Sequence, residues 1–107
     1  MPFKNITIPL IEDLVRVFGE NVIESLKANS TIIQQPHPGS VWISSLDGKW
    51  GSWNGKVVSC YYHPHKSHSA TTIGKLGTKK SVAPPGKWAI SYQTRAMFGN
   101  KTFYNTN

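Results

Sequence analysis

The chain has 107 residues, a length suited to one domain, and its 38% hydrophobic, 11% aromatic and 16% charged residues exclude generic disorder. No stretch approaches the about eighteen consecutive apolar residues of a membrane-spanning helix, and the lone Cys60 excludes an intrachain disulfide framework. The net charge of +7 is unevenly divided: Glu12, Asp13, Glu20 and Glu24 nearly balance Lys4, Arg16 and Lys27, whereas residues 31–107 set nine Lys/Arg against Asp47 alone. A segment of that kind attracts an anionic partner: nucleic acid, an anionic membrane surface or a phosphate-bearing ligand.

The first segment, residues 1–33, reads as helical. After Pro9, the residues Leu10, Ile11, Leu14, Val15, Phe18, Val22 and Leu26 recur at three- and four-residue steps. The pattern fits one amphipathic helix or two short ones capped at Gly19. A conventional signal peptide is not expected here. Thr7 and Pro9 interrupt the one apolar run, Glu12 and Asp13 end it, and no Ala-x-Ala site follows.

Residues 34–45 read as a linker and first strand, with Gln-Gln-Pro-His-Pro-Gly-Ser at 34–40 as the linker proper. Beyond it the hydrophobic period becomes two. Strands are predicted at 40–44, 49–53, 56–63, 69–73, 87–94 and 102–105. Asp47-Gly48, Asn54-Gly55, Pro84-Pro85-Gly86 and Gly99-Asn100 supply the turns, and 74–80 reads as a basic loop. This describes a mainly β chain: a small antiparallel sandwich or barrel preceded by an amphipathic helical segment. On the change of period and charge, residues 46–107 are expected to fold without the segment before them.

Catalytic chemistry finds little support. Ser67, Ser69 and Cys60 have histidines nearby in sequence, but nearness is not triad geometry. One carboxylate side chain in residues 31–107 excludes a paired-carboxylate hydrolase there, and Gly74-Lys75-Leu76-Gly77 lacks the spacing of a phosphate loop. Cys60, His63, His65 and His68 have spacings that suit zinc, yet no second Cys/His group follows to complete a tetrahedral site unless His37 swings in. The competing reading is a polar turn that titrates near neutrality. No enzyme activity, cofactor or metal is expected.

The interleaving of aromatic and basic residues is the stronger signal. Trp50, Trp53, Tyr61, Tyr62, Trp88, Tyr92, Phe103 and Tyr104 accompany Lys49, Lys56, Lys66, Lys87 and Lys101. Such residues stack bases along a single strand, or grip a headgroup or sugar–pyrophosphate at a membrane interface. They also fill small cores, the reading preferred for Trp88.

Gly48-Lys49-Trp50, Ser59-Cys60-Tyr61-Tyr62-His63, Lys66-Ser67-His68-Ser69-Ala70-Thr71, Gly86-Lys87-Trp88-Ala89 and Phe103-Tyr104-Asn105 follow one another in an order that resembles the lactococcin 972 bacteriocin family. The resemblance covers residues 48–105; residues 1–45 do not match. It implies a sandwich of two three-stranded antiparallel sheets at 46–107, secretion from Gram-positive bacteria without disulfides, and killing by binding lipid II and blocking septal wall synthesis. An immunity or export partner is a further implication. The motif residues Trp50, Lys66, His68, Ser69, Ala70, Thr71, Gly86, Trp88 and Tyr104 are expected to serve the fold. Trp53, Lys56, Lys75, Lys79 and Lys80 are the expected ligand contacts, lysines beside exposed rings acting as point charges toward a diphosphate. Two other readings use the same residues: a basic nucleic-acid-binding module, and a non-toxic protein that binds a partner through the N-terminal helix.

Overall fold

Residues 11–27 form two short helices, α1 (Ile11–Phe18) and α2 (Val22–Lys27). Gly19 separates them, its N–H donating to the Val15 carbonyl at 2.6 Å, while Glu12 and Asp13 occupy the first turn of α1 where the helix dipole favours carboxylates. Seven antiparallel strands follow: β1 (Thr31–Gln34), β2 (Val41–Ser45), β3 (Lys56–His63), β4 (His68–Gly74), β5 (Gly77–Ala83), β6 (Lys87–Thr94) and β7 (Lys101–Thr106). The computed structural model describes residues 6–46, 48 and 51–107. Asp47, Lys49 and Trp50 lie outside these, and with them part of one predicted turn and the first two residues of the predicted strand at 49–53. The described part of that strand, Gly51–Trp53, is a single 3-10 turn, so Asn54-Gly55 follows a turn and does not close a hairpin.

The strands form a four-stranded sheet ordered β1-β2-β3-β6 and a three-stranded sheet ordered β5-β4-β7. The chain is mainly β with a helical N-terminal segment, as expected, but one sheet holds four strands where three were expected. Its extra strand is β1. Thr31 and Ile33 are buried and Ile32 and Gln34 exposed, an alternation too short to stand out directly after a helix. The predicted linker is a hairpin loop that places Gln34 opposite Trp42, and the Ser40 hydroxyl inside it accepts the His37 N–H at 2.8 Å. The predicted basic loop at 74–80 is a second hairpin. β4 and β5 pair over seven residues around a two-residue turn at Lys75-Leu76. β5 escapes a periodicity reading because it is an exposed edge strand carrying Lys79 and Lys80, and lysines on edges discourage further pairing.

The faces of β3 explain the layering. Val58 and Cys60 point to one side, where they meet Leu14, Val22 and Leu26 of the helices together with Ile33, Ile43, Trp53 and Trp88. On this side the Trp88 indole N–H donates to the Pro9 carbonyl at 2.8 Å, and the Ser52 hydroxyl donates to the Phe18 carbonyl at 2.8 Å. The apolar stripe of the helices thus lies against the four-stranded sheet. Residues before 46 also supply an edge partner, because β2 pairs β3 from Val41–Tyr62 to Ser45–Val58.

On the opposite face of β3, Tyr61 packs with Ala70, Ala83 and Ala89 between the sheets. This second interface is narrow and hydrogen-bonded. Thr72 and Ser91 place their hydroxyls 2.9 Å apart, and Ser91 donates to the Lys79 carbonyl at 2.8 Å. Ser44 and Thr102 meet at 2.6 Å, and Ser59 donates to the Phe103 carbonyl at 2.9 Å. The Gln93 amide accepts the Leu76 N–H at 2.7 Å and donates to the Gly77 carbonyl at 2.8 Å. Small side chains let the sheets approach until these groups satisfy one another, which a buried polar layer requires.

Ala70 is fully buried in this interface. Replacing it by Leu inserts methylenes where neighbouring residues have no room to give, and should destabilise the protein by about 1–3 kcal/mol. Thermal unfolding followed by circular dichroism measures this, and an unchanged melting temperature would contradict the close packing.

Candidate functional site

Most residues of the recurring motifs build structure. Lys66 lies in the β3–β4 turn, and the buried His68 ring sits between two backbone carbonyls, Nδ1 2.8 Å from Lys66 O and Nε2 2.7 Å from Lys87 O. That position ties the β3–β4 turn to the start of β6, and the ring meets Tyr61 edge-on at 5.4 Å. Ser69 and Thr71 alternate with Ala70 on the outer side of β4, Ser69 buried there and Thr71 half-buried. The Gly86 N–H donates to the His63 carbonyl at 2.9 Å, and Trp88 lies against Tyr62. Tyr104 packs at a tilt against Trp42 and Tyr61, with ring centroids 4.7 and 4.8 Å away and ring planes inclined by 51° and 50°. Gly48 has a steric reason. It adopts φ +46°, and a Cβ there would overlap the carbonyl oxygens of Trp53 and Lys56.

The expected ligand contacts do not form one group. Trp53 is 1% exposed, packed edge-on to Phe18 at 5.8 Å in the helix-side core, which corrects its placement among surface contacts. A tryptophan beside Asn54-Gly55 reads as an exposed hairpin residue, but its partner ring lies on α1, far away in sequence. Lys56 also belongs to that side of the molecule, its ammonium 6.0 Å from the Tyr92 ring centroid. Lys75 lies in the β4–β5 turn, and Lys79 and Lys80 are consecutive on β5, so their side chains point to opposite faces.

Strand register assembles a different set. Across β5, β4 and β7, Lys80 lies opposite Thr71, which lies opposite Phe103; one step along, Thr78, Ile73 and Lys101 form the next row. These residues share the outer face of the three-stranded sheet, with Lys75 at its end and Phe103 half-exposed. None of the seven strands carries an acidic residue, and the described carboxylate side chains, Glu12, Asp13, Glu20 and Glu24, all lie in the helical segment. The outer sheet is therefore a cationic face opposed to an acidic layer. Lys101 and Phe103 were visible as basic and aromatic residues but not as neighbours of Lys80, because that relation passes through β4.

A second feature is a cleft of about 520 Å³ lined by His37, Pro38, His63, His65, Lys66, Thr106 and Asn107. The His63 ring lies 5.8 Å from that of His37, 6.5 Å from His65 and 6.2 Å from His68, measured between centroids. Its Nδ1 accepts the backbone N–H groups of His65 and Lys66 at 3.1 Å each. Cys60 is not part of this cluster. It lies on the helix side of β3, fully buried, and burial pushes its thiol far above the usual range. Among the described residues, no three His, Cys, Asp or Glu side chains are gathered as metal ligands.

Comparison with known proteins agrees with the motif order. The family model described as Bacteriocin (Lactococcin_972) matches residues 48–104, just over half of the chain. No curated protein and no solved structure matches.

The matched segment includes His63, His65 and His68 of the histidine cluster but not His37, and that cluster makes stability depend on pH. Burial first, then the charges of His37, His68, His65 and Lys66, hold the His63 imidazole below its ordinary value of 6.5; Lys87 faces it across the β3–β6 ladder. The folded state therefore resists a proton that the unfolded chain accepts. This contribution is fully present above about pH 6.5 and is lost as pH falls through and below that value. The melting temperature should drop between about pH 7.5 and about pH 5, and His63→Gln should flatten that slope. An identical slope in the variant would contradict the assignment.

Proposed function

The chain belongs to the lactococcin 972 bacteriocin family, and on that footing we propose that it is a secreted antibacterial peptide that binds lipid II and blocks septal wall synthesis in Gram-positive cells. The observation that carries the ligand class is the cationic outer face, on which Lys80 and Lys101 flank Thr71, Phe103 and Ile73 with no carboxylate on any strand. A diphosphate joined to sugar and lipid matches such a face. Ammonium groups meet the phosphates as point charges, Thr71 offers a hydroxyl, and the half-exposed Phe103 supplies an apolar surface for a sugar ring. No helix among the described residues is long and apolar enough to cross a membrane.

The face suits single-stranded nucleic acid less well. Stacking successive bases needs a row of open rings. Trp53, Tyr61 and Trp88 are buried and Tyr104, opposite Ala70, lies on the inner face of its sheet, so among the described residues Phe103 is the ring that this outer face presents.

A single exposed lysine near a phosphate contributes about 1 kcal/mol. Changing Lys75, Lys80 and Lys101 together to Gln should therefore reduce the lipid II-dependent part of vesicle binding by roughly 100-fold, with a parallel loss of growth inhibition. Vesicles with and without lipid II isolate that part. A triple variant that folds normally and retains full lipid II-dependent binding would overturn the assignment of the face. An unaltered protein that neither binds lipid II nor inhibits Gram-positive growth would overturn the function.

A further inference from the structure

The end of the sandwich where β6 leaves for β7 carries two side chains that the fold does not use. Met97 is 97% exposed and Phe98 85% exposed. Single exposed apolar residues are ordinary on protein surfaces. Here, however, two adjacent ones are held outward by a closed loop. The Ala96 N–H donates to Asn100 Oδ1 at 2.7 Å, and Asn100 Nδ2 donates back to the Ala96 carbonyl at 3.0 Å. Gly99, at φ +77°, turns the chain between them. The base of the loop is fixed by the Arg95 N–H on the Gly55 carbonyl at 3.0 Å.

The β4–β5 turn is pinned to the same end. The Lys75 N–H donates to the Thr94 carbonyl at 3.0 Å and the Leu76 N–H to Gln93 Oε1 at 2.7 Å, leaving the Leu76 side chain 68% exposed. This end thus presents Met97, Phe98 and Leu76 on two anchored turns, with Lys75, Arg95 and Lys101 in or beside those turns. Apolar residues at a tip ringed by cations match the two layers of an anionic bilayer: acyl chains below, phosphates at the rim.

We propose that this end is a membrane-anchoring tip, in which Met97, Phe98 and Leu76 enter the headgroup–acyl boundary of an anionic phospholipid bilayer while Lys75, Arg95 and Lys101 meet its phosphates. Insertion is peripheral. It goes beyond recognition of a wall precursor, because it requires only the lipid surface, and it confines the protein to the plane in which a membrane-bound ligand diffuses.

The test uses vesicles of phosphatidylglycerol and phosphatidylcholine without lipid II, so that its result is separate from that of the ligand. The intact protein should sediment with these vesicles, bind more weakly to phosphatidylcholine alone, and lose binding as salt screens the cations. The double variant Met97→Ser/Phe98→Ser alters only exposed side chains and should keep its melting temperature, yet bind about tenfold more weakly or worse. Phe98→Cys carrying an environment-sensitive dye reports depth directly, since the buried Cys60 thiol is shielded from labelling. Its emission should shift to the blue on vesicle addition. Unchanged binding by the double variant, or no blue shift at position 98, would overturn the proposal. So would failure of the intact protein to bind these vesicles while sedimenting as a dimer that Met97→Ser/Phe98→Ser dissociates, which would make the tip a contact between copies of the chain.

Discussion

From Val57 to Tyr61 every residue of β3 is buried, because its two faces meet different layers. One face meets the helices through Val58 and Cys60, and the other meets the three-stranded sheet through Ser59 and Tyr61. A strand in that position cannot have a solvent side, so everything that flanks it must supply cover. The helical cover comes from Leu14, Val22 and Leu26, each fully or almost fully buried. Burial of such side chains contributes about 1.5–3 kcal/mol each, and three of them amount to a large share of a small domain's net stability of about 5–15 kcal/mol.

The two interfaces divide the work by chemistry. Beneath the helices the contact is mainly apolar. Between the sheets it is built from Ala, Ser, Thr and Gln, whose hydrogen bonds hold only when the register is right: Thr72 with Ser91, Ser44 with Thr102, and Gln93 with Leu76 and Gly77. A one-residue slip of β4 would carry Ala70 and Thr72 to the outside and leave Gln93 and Ser91 buried without partners, which is a strong penalty. The same register sets Lys80, Thr71 and Phe103 in a row. The hydrogen-bonded interior and the cationic exterior thus depend on one alignment. It also sends the charges outward, so that the acidic helical layer and the cationic sheet face lie on different sides of β3.

Strands whose sequences keep a two-residue period were legible. β3, β4, β6 and β7 carry alternating patterns, and the helix pair shows a three- and four-residue period broken at Gly19. β5 was not legible, because its inner face carries Lys79, Ser81 and Ala83 and so no bulky apolar residue to announce it. β1 was not, because four residues are too few. The candidate site was legible in its residue types and not in its geometry: Lys75 and Lys80 were identified, but their association with Lys101 and Phe103 passes through a central strand. Trp53 misled for a similar reason, since the ring that buries it belongs to α1. Motif residues such as Gly48, His68 and Ala70 were recognisable as a set, whereas their reasons are tertiary contacts, with backbone for Gly48 and His68 and with side chains for Ala70, that no local pattern displays.

The claim at the centre of this account is that the segment before residue 46 is a structural layer, although the family match begins at residue 48. The most direct measurement compares the amide spectra of the intact chain and of residues 46–107 alone under the same conditions. Removing the helices, β1 and β2 exposes one face and one edge of β3, and the account predicts a collapsed, poorly dispersed spectrum for the short chain beside a well-dispersed one for the intact protein. A dispersed spectrum for residues 46–107, with the β3, β4 and β6 resonances at their positions in the intact chain, would contradict it.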